Sequence, residues 1–142
     1  MENISVHDML KAVNAKVAKK DKLDVLEKHD CRILRFILQA NYDDNVQTIL
    51  PDGEPPFNPV QKSEQTTLHA VESDLPSLFK NGPMQGHPLT EVEMLFMKML
   101  GQLKPEEAKV LILAKDKRLQ SMFKRITKPV VQEYLSEYVK IK

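Results

Sequence analysis

Pro51, Pro55, Pro56 and Pro59 fall within one short stretch, and no helix can run through it. Each proline removes a backbone donor, and its ring collides with the preceding helical turn. The chain is therefore divided near its middle. On either side, over residues 5–40 and 74–142, apolar residues recur at three- and four-residue spacing, whereas residues 41–73 show no such period. This predicts a mainly α fold, a small helical domain of about six to seven helices with a proline-rich extended connector in the middle. A length of 142 residues fits a single domain, residues 1–142, able to bury its own core.

Local signals place the helices. Ser5 followed by Asp8 resembles a capping box ahead of Val6, Met9, Leu10, Val13 and Val17. After the polar run Lys19 to Lys22, a short helix is expected around Leu23 and Leu26. Cys31 to Ala40 forms a third helix, so nearly encircled by apolar residues that it should be central to the core. In the connector, Pro51-Asp52-Gly53 is a turn, and Pro55 to Pro59 must be extended. Val46, Thr48 and Leu50 alternate with polar residues, which predicts a short strand if the stretch near Leu68 and Val71 supplies a partner. Gln61 to Thr67 reads as a surface loop or linker.

The second half carries Asp74 as the cap of a short helix with Pro76 in its first turn, ended by Asn81-Gly82-Pro83. Thr90 and Glu93 form a capping box before Val92, Leu95, Phe96, Met99, Leu100 and Leu103. Pro105 suits a first helical position, with Glu106 and Glu107 favouring the positive helix start, and that helix runs to Lys115. Leu119, Met122 and Phe123 predict a further turn or two. Thr127 and Pro129 open a last helix through Val131, Tyr134, Leu135 and Tyr138 to the basic end Lys140-Ile141-Lys142.

Charge and composition exclude several functions. Twenty-one Lys and Arg against twenty Asp and Glu leave a net charge of +1, so neither nucleic acid nor membrane binding follows from bulk charge. Cys31 alone cannot close an internal disulfide, and its apolar setting predicts a buried thiol in a reducing compartment. No apolar run approaches the ~18 residues of a spanning helix, and the N-terminus lacks a signal-like apolar stretch. His7, His29, His69 and His87 share no metal-ligand spacing with one another or with Cys31, so no metal is expected. The glycines at 53, 82, 86 and 101 build neither a dinucleotide fingerprint nor a phosphate loop, and no cofactor is implied. Asp43 and Asp44 sit between Asn41 and Asn45, where turn formation is the ordinary use of such residues; an enzyme would need the pair to converge with a histidine.

Two features point towards binding. Lys11, Lys16, Lys19, Lys20, Lys22 and Lys28 form one basic cluster, diluted by Asp21, Asp24 and Glu27. Lys115, Lys117, Arg118, Lys124, Arg125 and Lys128 form a second, opposed only by Asp116. With Phe123 beside it, the second could hold phosphates and stack a base, unless it is a solvated surface with Phe123 in the core. Met94 and Met97 fall partly off the apolar stripe of their helix, which permits a protein-binding face, and Pro55, Pro56 and Phe57 offer an extended docking element.

Several stretches together, Arg32-Ile33-Leu34-Arg35-Phe36-Ile37-Leu38, Asn41-Tyr42-Asp43, Leu50 to Pro59, Glu93 to Leu103 and Glu106 to Lys117, resemble an uncharacterised protein family of T-even-like tailed bacteriophages and cyanophages. The Leu50 to Pro59 element and Ala114-Lys115-Asp116-Lys117 are its most specific parts, while Arg118 to Arg125 departs from it. The resemblance implies a phage product in the cytoplasm of the infected bacterial host, or packaged in the virion, and brings no activity or cofactor. The expectation is a non-enzymatic accessory protein that binds phage replication or transcription machinery or a host protein, touching DNA or RNA through Lys115 to Lys128. The alternatives are a virion structural or assembly protein, and a cryptic enzyme built on Asp43, Asp44 and a histidine.

Overall fold

The computed structural model describes residues 4–80 and 82–136. Six α-helices appear among them: α1 Val6–Asn14, α2 Lys19–Lys28, α3 Arg32–Tyr42, α4 Leu89–Gln102, α5 Pro105–Lys115 and α6 Lys128–Leu135. Three 3-10 segments, Lys62–Glu64, Leu68–Leu78 and Leu119–Ser121, complete the regular structure, and no strand forms among the described residues. The mainly helical class is as expected. One continuous apolar cluster runs through all six helices and the long 3-10 segment.

At the centre α5 lies against α3. α5 buries Glu107, Ala108, Val110, Leu111, Ile112, Ala114 and Lys115, which go right round its axis, and it packs against α1, α3 and the Leu68–Leu78 segment. Its two alanines let neighbours approach, and its two buried charges are all partnered. α3 is instead amphipathic, with Arg32 exposed and Arg35 half-buried while Ile33, Leu34, Ile37 and Leu38 face inward. α2 packs across α1 and α6.

Helix starts divide into those that local residues cap and those that they do not. Ser5 Oγ accepts from Asp8 N at 3.1 Å and starts α1 as expected. The stripe ends sooner than its apolar pattern, at Asn14, and Val17 is left 75% exposed. The Lys19 to Lys22 run forms the first turn of α2 rather than preceding it. The Thr90–Glu93 box does not form: α4 begins two residues earlier, at Leu89 after Pro88, with no side-chain cap. Proline supplies the extended N-cap torsions there, and Glu93 is freed for another role. Asp74 likewise caps nothing, because the 3-10 segment has already begun at Leu68. Leu68, Val71, Leu75 and Leu78 are its buried side chains, so that stretch is not available to pair with Val46–Leu50. Gln47 to Ile49 pairs with Leu78 to Lys80 instead, through Ile49 N to Leu78 O at 3.0 Å and Lys80 N to Gln47 O at 2.8 Å, as an isolated antiparallel bridge. Asn81 and the residues from 137 on, including Tyr138 and the basic end, lie outside the described residues.

The Gln61 to Thr67 stretch is tied down rather than free. Val60 N donates to Gly101 O at 2.8 Å and Thr66 N to Gln102 O at 2.8 Å, so the connector satisfies carbonyls that the end of α4 leaves without helical partners. Close passage requires Gly101, where a Cβ would stand 2.6 Å from the Asn58 carbonyl oxygen. Gly101→Ala is expected to destabilise the protein in urea unfolding by about 1 kcal/mol or more, because the steric cost outweighs the ~1 kcal/mol gained in helix propensity. The Val60 amide should lose its protection from hydrogen exchange in the same variant.

Candidate binding surface

The motifs that distinguish this sequence turn out to be struts. Asn41 Oδ1 accepts from Leu119 N at 2.9 Å, Tyr42 donates its hydroxyl to Ile126 O at 2.5 Å, and the Asp43 carbonyl accepts from Lys117 Nζ at 2.7 Å. Three consecutive residues at the end of α3 thus hold the segment that follows α5. Asp43 Oδ1 also accepts from Asn45 N at 2.9 Å, an Asx turn, and Asp44 pairs with Lys128 at 3.2 Å. Three of the four histidines lie with other partners: His7 against the Phe123 ring, His69 on the Ile4 carbonyl and His87 on Glu91. Among the described residues no group of three His, Cys, Asp or Glu side chains is placed to hold a metal.

Lys117 pays for its position with backbone strain: its φ of 59° lies in the left-handed region. There it ends α5, with Arg118 N on Leu113 O at 2.8 Å and Lys117 N on Ala114 O at 3.2 Å, the pairing of a Schellman turn normally given to glycine. A lysine is accommodated because its ammonium also reaches Ala40 O at 2.9 Å, closing the C-terminus of α3. Burial lowers the pKa of this ammonium, against the pull of Asp44 and Asp43.

The second basic cluster is consequently dispersed. Lys115 is buried, donating to Pro51 O at 2.9 Å and pairing with Asp116 at 2.5 Å, and so cannot meet a phosphate. Phe123 is 3% exposed and belongs to the core, not to a stacking platform. Lys117 is half-buried on α3, and Lys128 is engaged by Asp44. Arg118, Lys124 and Arg125 remain exposed. Arg125 N donates to Asn14 Oδ1 at 2.8 Å, which brings Lys124 and Arg125 to the end of α1, where Lys11 and Lys16 are also exposed. Remnants of both clusters thus meet at one corner.

A different site emerges where the Leu50 to Pro56 turn crosses α4. The turn is moored to the end of α5 by Lys115 Nζ to Pro51 O and by Gly53 N to Asp116 Oδ2 at 3.0 Å, and the Lys115–Asp116 pair that does this is almost wholly buried. Gly53, at φ 98°, supplies the left-handed corner. Between the turn and α4 lies a hollow of about 200 Å³ floored by Leu50 and Phe96. Among the described residues, Asp52, Glu54 and Glu93 supply every ionisable side chain of its lining. Beside it on α4, Leu89 is 44% and Met94 66% exposed, with Met97 half-buried. Pro55 and Phe57 are half-buried, Phe57 against the core, and Pro56 is exposed.

Sequence reading missed this hollow for two reasons. Glu93 had a plausible local use as a cap, and nothing local links Pro51 or Gly53 to side chains more than sixty residues away. The only signal was that Leu50 to Pro59 and Ala114 to Lys117 were the two most distinctive stretches, and these are the parts brought together.

A family model matches residues 9–121. The chain belongs to DUF6433, a family of unknown function. The match includes the connector, the moored turn and α4, so the hollow is built wholly from the DUF6433 region, while Lys124, Arg125 and Lys128 fall beyond it. No curated protein matches the chain. Among the described residues no helix is long and apolar enough to cross a membrane.

Three further groups report on the scaffold. Burial raises the Cys31 thiol above its ordinary pKa, which disfavours the reactive thiolate. Burial also raises the pKa of the Tyr42 hydroxyl and, together with its hydrogen bond to Asp30, that of Tyr134. A group whose pKa is raised on folding contributes stability in full below its unfolded value and loses it as pH rises towards the folded one. The urea midpoint should therefore fall above about pH 10, with tyrosinate absorbance from Tyr42 and Tyr134 appearing only as helical circular dichroism is lost. In Tyr138→Phe, which leaves Tyr42 and Tyr134 as the chain's tyrosines, two tyrosinates forming while the helices persist would show that both hydroxyls are accessible.

Proposed function

We propose that this chain is a non-enzymatic accessory protein of phage infection that acts in the cytoplasm of the infected bacterium by docking on a phage or host protein. The observation that carries this reading is the outer face of α4. Leu89, Met94 and Met97 leave apolar surface open beside a preformed hollow, and methionine is well suited to an adaptable contact. The phage setting rests on the resemblance of the motif stretches. The absence of catalysis rests on the carboxylate pair and the distinctive motifs being spent on structure.

The test is recovery of partners from infected cells by the wild type and by Met94→Gln/Met97→Gln, substitutions that keep helix propensity nearly constant. The wild type should retain a protein that the variant loses, with unchanged circular dichroism. Identical recoveries, or none, would overturn the reading. Stoichiometric presence in purified particles would favour the alternative role in virion structure, although Phe57 and Val60 already hold the proline segment to its own chain.

Nucleic-acid contact is a second reading, favoured by the corner where Arg125 meets Asn14 and where Lys11, Lys16 and Lys124 are exposed. Binding to DNA or RNA across a salt series should weaken steeply with salt and fall in Lys124→Gln/Arg125→Gln. No binding at low salt would dispose of it.

A further inference from the structure

We propose that the hollow between the Leu50 to Pro56 turn and α4 receives a long basic side chain, arginine or lysine, projecting from the docked protein. This rests on the docking reading and gives it a chemical anchor. Size is the first argument. At about 200 Å³ the hollow falls below the ~300 Å³ at which sites for drug-sized ligands begin, so it suits one side chain rather than a cofactor. Charge is the second. Asp52, Glu54 and Glu93 are its only ionisable lining groups among the described residues, and the nearby Lys115 is already neutralised by Asp116 and turned to the Pro51 carbonyl. The lining is therefore anionic at the rim and apolar at the floor, where Leu50 and Phe96 lie. A long basic side chain matches both parts, since its methylenes cover apolar surface while its head stays with the carboxylates.

Preorganisation is the third argument. The turn that carries Asp52 is held by a buried ion pair through two hydrogen bonds, so little ordering has to accompany binding. The hollow is also continuous with the exposed face of α4. Glu93 stands four residues from both Leu89 and Met97, on the same side of the helix, so a protein lying on Leu89 and Met97 passes over the acidic rim, with Met94 extending the contact further round α4.

The experiment is an NMR titration of the full chain with N-acetyl-arginine methylamide, the lysine analogue and, as an uncharged control, the norleucine analogue. Saturable shifts should appear at the amides of Gly53, Glu54 and Phe96 with the two basic probes, weaken with salt and be absent with norleucine. Glu93→Gln should weaken binding by about two- to fivefold, the effect of one exposed charge pair. The stronger of the basic probes identifies the preferred side chain. Equal shifts with norleucine, shifts spread evenly to other acidic sites such as Asp21 and Asp24, or no shift would overturn the proposal. Failure of the probes while Met94→Gln/Met97→Gln still loses its partner would discard the groove alone. Binding of the probes while partner recovery ignores Met94 and Met97 would discard the docking face alone.

Discussion

Glu107→Ala should cost about 3–5 kcal/mol of folding stability, because three buried amide donors lose their acceptor. Glu107 is fully buried, yet it is not left without partners. One oxygen accepts from Val6 N at 3.2 Å and Leu68 N at 2.9 Å, and the other from His7 N at 2.7 Å. A single carboxylate thus closes the first turn of α1 and the first residue of the long 3-10 segment, both of which present amide donors and the positive end of a helical dipole. Alanine would leave three amide donors facing a space too dry to hydrate them freely, each worth about 1–3 kcal/mol if unsatisfied. Glutamine separates charge from shape. Its one carbonyl oxygen can accept, but its amide nitrogen would face a backbone donor, so only part of the loss should be recovered. Glu106→Ala, at an exposed neighbour, should stay within about 0.5 kcal/mol. Urea unfolding of the three variants decides the matter, and equal midpoints for Glu106→Ala and Glu107→Ala would show that the capping contributes nothing.

The same residue shows which parts of the fold a sequence can disclose. α1, α4 and α5 are legible because their signals are local: apolar residues at helical spacing, serine before α1 and proline at the start of α5. Glu107 looks like an ordinary acidic residue in a first turn, and its real work is to cap segments 100 and 39 residues away, which no local pattern encodes. Lys115 and Lys117 misled for a related reason. Lysine is so rarely buried that a run containing two of them reads as surface, and only their acceptors, the Pro51, Ala40 and Asp43 carbonyls, reveal otherwise. The strand pairing near Thr48 failed because alternation names no partner, and the true one, at Phe79, lies just beyond the 3-10 segment that holds Leu68 and Val71. Of the candidate site, Pro55, Pro56, Met94 and Met97 were visible as exposed or extended apolar residues. The acidic hollow was not, since it exists only where the connector crosses α4.

Lys115→Met should cost about 3–5 kcal/mol as well, but its consequence reaches the binding surface rather than the helix starts. The substitution leaves Asp116, almost wholly buried, with Gly53 N as its remaining partner, and leaves the Pro51 carbonyl without its donor. Replacing both charges, as Lys115→Met/Asp116→Leu, removes the uncompensated carboxylate and should restore much of the lost stability, because two charges exchanged for apolar groups no longer need to be kept from water. Mooring of the turn should not return, since Gly53 N has then lost its acceptor and Pro51 O its donor. Core stability and rim order are thereby separated. In the double variant the urea midpoint should approach that of the wild type while the Gly53 amide exchanges with solvent freely, and arginine methylamide should bind more weakly although Asp52, Glu54 and Glu93 are all still present. If the double variant instead bound the probe as well as the wild type, the carboxylates alone would suffice, and the buried Lys115–Asp116 pair would be a support for the fold with no part in shaping the hollow.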